Sequence, residues 1–475
     1  MPFRREMNRV FAGILIAFAL VGAAAAYWAM ANSNSILNRD DNPRLVELER
    51  RIQRGEIYDR RGLLLVETLI NDSGLVSREY LFPAFYSALG YSSLRYGVGG
   101  IEADYNALLR GDTREALLAY DLLHRPIRGS DLQLTLDASI QSALYHAMLG
   151  QRGAAIVLSI PDGQTLGMVS MPTFDPNRLD AQWDTLNTDV NNPFFNRAVQ
   201  GSYQPGGAMQ TPLMMGALLS ARPLDSEIAD GSVPVDLNGL EITCAVRLPV
   251  MPLSLRDAYA FSCPTPFVEL GESLEGAPLE SLFGQVEGLA QYRLLPIETL
   301  PNTTAAPAVD DESPTTEEWL LANTLGQGDI TVTPLMMALI AGAVVNDGNA
   351  PQPYLLQATR SPNSESWQSA VPLHPTIPIT TANTARRLQD LMRYNVANGA
   401  AQNAARPLID IGGHASLAHS GDTTNAWFIG FATLGGRQAV AVAIVLEDSA
   451  DAGLAADIGG TTLQAAGEAL ASGGS

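Results

Sequence analysis

A hydroxyl becomes a nucleophile when a base stands within hydrogen-bond reach. In the run Ala418-His419-Ser420-Gly421-Asp422 an imidazole adjoins a hydroxyl, and Ser262 offers a second hydroxyl elsewhere in the chain. Acyl transfer is the chemistry such residues could carry. The stretch Tyr203-Gln204-Pro205-Gly206-Gly207-Ala208-Met209-Gln210 reads as the start of an active-site helix, yet Gly207 and Gln210 supply neither nucleophile nor base. The chain has no lysine, so all 29 basic residues are arginine, which stays charged near neutral pH. No side-chain amine is therefore available as a general base or for Schiff-base formation. The five histidines (His124, His146, His374, His414 and His419) and the two cysteines show no metal-ligand spacing, so no metal or cofactor is expected. Cys244 and Cys263 are either a disulfide or two buried thiols.

These residues must be positioned by a chain of 475 residues with 46% hydrophobic content, enough for two or three domains with a sizeable core. A net charge of −21 argues against nucleic acid as a partner, because nothing here could neutralise a run of phosphates. Arg4, Arg5 and Arg9 precede an apolar run from Val10 to Ala31, long enough to cross the hydrocarbon core. Basic residues before the span place residues 1–9 in the cytoplasm, residues 10–31 in the membrane as a single-pass anchor, and the rest outside. A cleavable signal peptide is the competing reading, since VGAAAA offers small residues.

Beyond the anchor, Asp59-Arg60-Arg61-Gly62 reads as a turn between two strand-like runs. Residues 40–128 are expected to form a small β-rich platform domain, and residues 129–475 a larger domain. Asp137 is a plausible N-cap. Pro161-Asp162-Gly163 joins two β-rich segments, and Gly435-Gly436 joins the AWFIGFA and QAVAVAIVLED runs as a second hairpin. TTLQAAGEALA looks like a closing helix, and Met209, Met214 and Met215 look like helix packing. Residues 301–318 read as a polar loop. Strands at both ends with helices between predict an α+β domain whose sheet unites distant parts of the chain.

Residues 54–66 (RGEIYDRRGLLLV), 153–177, 196–206 (NRAVQGSYQPG), 324–338 (TLGQGDITVTPLMMA) and 426–432 (AWFIGFA) together resemble class B penicillin-binding proteins, the membrane-anchored peptidoglycan D,D-transpeptidases of cell-wall synthesis. The resemblance implies a transpeptidase domain of serine β-lactamase type, an antiparallel sheet flanked by helices. It also implies three motifs in one cleft: a serine with a lysine three residues on, a serine with an asparagine two on, and a Lys-Thr/Ser-Gly strand.

Carried onto this chain, the first motif falls on Gly207 and Gln210, and the second on Ser262 and Pro264. The third falls on His419, Ser420 and Gly421, with Asp422 following where a small hydroxyl residue is usual. Nucleophile, base and asparagine are all replaced. The expectation is a catalytically inactive relative acting as scaffold or regulator, with cell-wall synthesis partners such as a membrane glycan polymerase or active penicillin-binding proteins. The alternatives are an active acyl-serine enzyme with a divergent site, and a non-catalytic peptidoglycan-binding module.

Overall fold

The computed structural model describes residues 3–31, 49–111, 126–274, 284–286, 288–289, 317–362, 364–371 and 376–472. His124, His374, residues 301–316 of the expected polar loop and residues 40–48 of the expected platform lie outside these. Phe3–Ala31 is one helix, and its Met7–Tyr27 segment is long and apolar enough to span a membrane, with its side chains exposed.

Five antiparallel strands form the main sheet, in the order Asp410–Ser420, Thr423–Gly435, Gln438–Leu446, Gly153–Ile160, Thr165–Met171. The two expected hairpins are both here. Gly163 (φ 80°), Gly435 (φ 103°) and Gly436 (φ 62°) take the left-handed conformations their turns require. The central strands read as nearly unbroken Ala, Val, Ile and Leu because helices cover both faces. On one face Ala155, Val157, Val442 and Ile444 pack with Leu463 of the Ala452–Ser472 helix and Ile140 of Ala138–Ala147. On the other face Ile156, Leu158, Ala441 and Ala443 join a core with Pro334–Val345, whose side chains are almost all buried. Asp137 caps Ala138–Ala147 as expected, accepting hydrogen bonds from the backbone N–H of Ser139 and Ile140.

A second, six-stranded sheet runs Gln368–Ser369, Leu356–Arg360, Asp131–Leu134, Ile57–Tyr58, Leu64–Ile70, Val76–Tyr80. It crosses the boundary expected between residues 128 and 129, because Asp131–Leu134 pairs in parallel with Ile57–Tyr58 and antiparallel with Leu356–Arg360. The Asp59 carboxylate, almost wholly buried, accepts from the backbone N–H of Arg61 and Leu63. This is the Asp-Arg-Arg-Gly turn anticipated from sequence, with Gly62 at φ 88°. Nearby, Glu102 is fully buried between Arg54 and Arg78, at 2.6 and 2.7 Å.

Candidate active-site cleft

The Tyr203–Gln210 stretch is pinned from three sides. Tyr203 exchanges backbone hydrogen bonds with Val332 at 3.0 and 2.8 Å, and the Gly206 N–H donates to Gly326 at 2.8 Å. The Trp427 indole donates to the Gln204 carbonyl at 3.2 Å, and its ring meets Tyr203 edge-on. Gly206 is left-handed (φ 51°), and a Cβ there would stand 2.3 Å from the Leu417 carbonyl oxygen and 2.4 Å from the Ala418 Cα. The backbone of the edge strand Asp410–Ser420 approaches so closely that only glycine fits. Gly206–Met209 forms a single 3-10 turn that runs into the helix Gln210–Leu219, whose Met214 and Met215 are buried with Met209 as expected.

Gly207 lies in the 3-10 turn ahead of this helix, and what surrounds it defines the site. A Cβ there would stand 2.3 Å from the Ser262 Oγ and 2.9 Å from the Ser416 Cβ. Ser262 terminates the helix Leu255–Phe261 in the left-handed region (φ 53°, ψ 49°), unusual for a side-chain-bearing residue. The chain is held there by the Cys263 N–H donating to Ala258 at 2.8 Å and by the Cys244–Cys263 disulfide. That bond decides between the two cysteine readings left open by the sequence. Pro264 follows and leads into the helix Thr265–Ser273. Gln210 is buried, donating from Nε2 to the Cys263 carbonyl at 3.3 Å. The Ser262 and Ser416 hydroxyls and the Gln210 Oε1 are buried without a hydrogen-bond partner.

The histidine that reaches this point is His414. It is fully buried, its Nε2 donates to the Gly207 carbonyl at 3.0 Å, and its Nδ1 accepts from Asn395 of the helix Ala382–Asn398 at 2.9 Å. Its ring lies flat on Tyr259, with centroids 4.4 Å apart, and the Tyr259 hydroxyl is bonded to Thr211. Burial pushes the imidazole down to about 4, so it is neutral at physiological pH.

The third motif is expected at His419, Ser420 and Gly421, whereas the histidine bonded to the Gly207 carbonyl is His414. Side chains alternate along a strand, and the register that sets Ala418 on Gly206 and Ser416 on Gly207 brings His414 to the same side. His414 and His419 both lie on the strand Asp410–Ser420. Ser420, Gly421 and Asp422 are exposed at the hairpin tip, so Asp422 does not face Gly207. His419 is half-buried, burial lowers its pKa, and its backbone N–H and carbonyl pair with the Gln327 side-chain amide at 3.1 Å each. The sequence contains two His-containing runs, GGHASL and LAHSGD, and only the second carries a Ser-Gly after its histidine. The signal that separates them is the two-residue alternation counted back from Trp427, whose strand pairs Trp427 with Ser416.

Among the described residues, no hydrogen bond joins Ser262, Ser416 or Ser420 to an imidazole, and both nitrogens of His414 are engaged elsewhere.

A helix start bearing the first position, a turn after a second helix bearing Ser262, and an edge strand closing on both define the penicillin-interacting transpeptidase class of acyl-serine folds. Residues 153–464 match the penicillin-binding protein transpeptidase domain, and the chain belongs to that family. It is 29% identical over 494 residues to the peptidoglycan D,D-transpeptidase PbpA of Mycolicibacterium smegmatis, covering 97% of this chain and 98% of that one. Identity to the peptidoglycan D,D-transpeptidase MrdA of Acinetobacter baumannii is 25%, over 76% of this chain and 58% of that one. Among solved structures, the imipenem acyl-enzyme complex of penicillin-binding protein A from M. tuberculosis superimposes with a TM-score of 0.74 at 27% identity, covering 89% of this chain and 99% of that one.

Proposed function

We propose that this chain is a catalytically inactive penicillin-binding-protein relative, anchored in the membrane with its bulk outside the cytoplasm, that serves cell-wall synthesis as scaffold or regulator. The observation that carries this reading is Gly207, where the nucleophile position holds no side chain and its volume is taken by Ser262 and Ser416. The base position is Gln210, and no lysine exists anywhere to replace it. We assign the third motif to His414, Ala415 and Ser416. A neutral histidine there, tied to the Gly207 carbonyl, fixes the helix start and does not activate a hydroxyl. Acyl transfer needs nucleophile and base together, and oxyanion stabilisation alone forms no acyl-enzyme.

The retained scaffold supports a role through shape, and its partners are the membrane glycan polymerase or active penicillin-binding proteins with which catalytic relatives work. The decisive experiment is intact mass of the detergent-solubilised chain after incubation with benzylpenicillin, with an active family member as control. No adduct is expected while the control is labelled. An added mass of one opened β-lactam overturns the reading and sends the search to Ser262 or Ser416.

A further inference from the structure

A cavity of about 270 Å³ lies apart from the cleft, where the Tyr91–Ser93 and Gly97–Gly99 hairpin and the short helix Ile101–Asp104 meet residues 168–200. None of Gly207, Gln210, Ser262, Ser416 or His414 lines it. Its wall is aromatic. Phe174 and Phe194 meet at 4.8 Å between centroids, and Tyr91 packs on both, at 5.9 and 5.4 Å. Behind them Trp183 lies between Phe194, at 5.3 Å, and Tyr96, stacked at 4.0 Å.

Among the residues lining this cavity, Asp104 is the one carboxylate. It is half-buried, and among the described residues its carboxylate has no hydrogen bond or ion pair. Other buried carboxylates in this fold are partnered: Glu102 by two arginines, Asp137 by Arg61 and the N–H groups it caps, Asp59 by backbone N–H groups. Asp104 has no such partner among the described residues, and burial pushes its carboxyl up to about 7. An uncompensated carboxylate beside a hydrophobic wall is costly unless a positive charge completes it. Aromatic rings add their own attraction for a cation, and the lining contains no arginine to supply one internally.

We propose that this cavity binds an alkylammonium group, with the Asp104 carboxylate as counter-ion and Tyr91, Phe174 and Phe194 around the alkyl portion. A hydrocarbon stem ending in an ammonium matches the wall with its stem and the carboxylate with its head. Two sources share that chemistry: the side-chain amine of a diamino acid in a cell-wall peptide, and a free polyamine. The site is independent of whether the cleft is catalytic, so acylation by a β-lactam would leave this inference standing.

Titration calorimetry on the detergent-solubilised full chain tests it, using cadaverine, a diamino-acid muropeptide and the same muropeptide acetylated on its side-chain amine. Saturable binding of cadaverine or of the free-amine muropeptide is expected, weakened about tenfold or more in Asp104→Asn. Phe194→Leu is expected to weaken it severalfold while leaving Asp104 in place. Binding of the muropeptide with loss on acetylation identifies the cell-wall source, and binding of cadaverine alone identifies the free amine. The inference is overturned by the absence of saturable heat with every probe up to roughly 10 mM. Equal affinity in wild type and Asp104→Asn also overturns it. An unchanged melting temperature for Asp104→Asn certifies that the variant is folded.

Discussion

The Ser262 hydroxyl stands 2.3 Å from the point where a Cβ on Gly207 would be. Ser262 could rotate away, but the Ser416 Cβ, 2.9 Å from the same point, is fixed by the edge strand. Restoring a serine at 207 therefore forces backbone movement. Overpacking of this kind costs roughly 1–3 kcal/mol. Gly207→Ser is expected to lower the melting temperature by several degrees. Gly207→Ser/Gln210→Lys is expected to remain unlabelled by benzylpenicillin, as read by intact mass.

His414 gives the fold a sensitivity to acid. Burial depresses its pKa from the ordinary histidine value to about 4, so the unfolded chain binds a proton over a range where the folded chain does not. Its contribution to stability is complete above about pH 6.5 and is lost as pH falls towards 4, roughly 3 kcal/mol over that interval. Denaturant unfolding across this interval should show the loss in wild type and a shallower slope in His414→Gln. A His414 imidazole resonance titrating near 6.5 by NMR would contradict the assignment.

Glu102 holds two arginines in a dry interior. Burial alone would push its carboxyl up, but the Arg78 and Arg54 guanidinium groups more than reverse this and hold it below the usual carboxylate range. Neutralising one member of such a group leaves its partners charged and unpaired, at about 3–5 kcal/mol. Glu102→Gln is expected to lower the unfolding free energy from urea titration by that amount without altering the mass readout with benzylpenicillin.

The Cys244–Cys263 bond closes a loop of 19 residues beside the cleft. Chain-entropy arguments give a bond across such a span about 3 kcal/mol. Replacing both cysteines with serine should lower stability by that order. It should also loosen the Cys263 carbonyl that receives the Gln210 amide, which amide hydrogen exchange at Ser262 and Cys263 would detect.

Local grammar made much of this structure readable beforehand. The hairpins at Gly163 and Gly435-Gly436, the Asp137 cap and the closing helix follow from turn chemistry and periodicity acting over a few residues. Gly207, Gln210 and Ser262 were legible because the flanking sequence fixes their place on short rigid elements, and the structure brings all three together. His414 and Ser416 were not, since which face of a strand meets a helix is decided by register against Gly206, a contact between residues 206 and 418. The unpaired state of Asp104 was equally hidden. In sequence it is one acid among 50, and only the packing shows that no arginine among the described residues pairs with it.

The six-stranded sheet carries a mechanical consequence. A pull entering near residue 49 would reach Ile57–Tyr58, which is flanked on one side by Leu64–Ile70 and on the other by Asp131–Leu134, itself bonded to Leu356–Arg360. Tension along such strands loads neighbouring backbone hydrogen bonds in shear, several at once, and does not peel them singly. Strands drawn from residues 57–80, 131–134 and 356–369 are therefore hydrogen-bonded into one sheet, so segments far apart in the chain would share a load applied to any one of its inner strands.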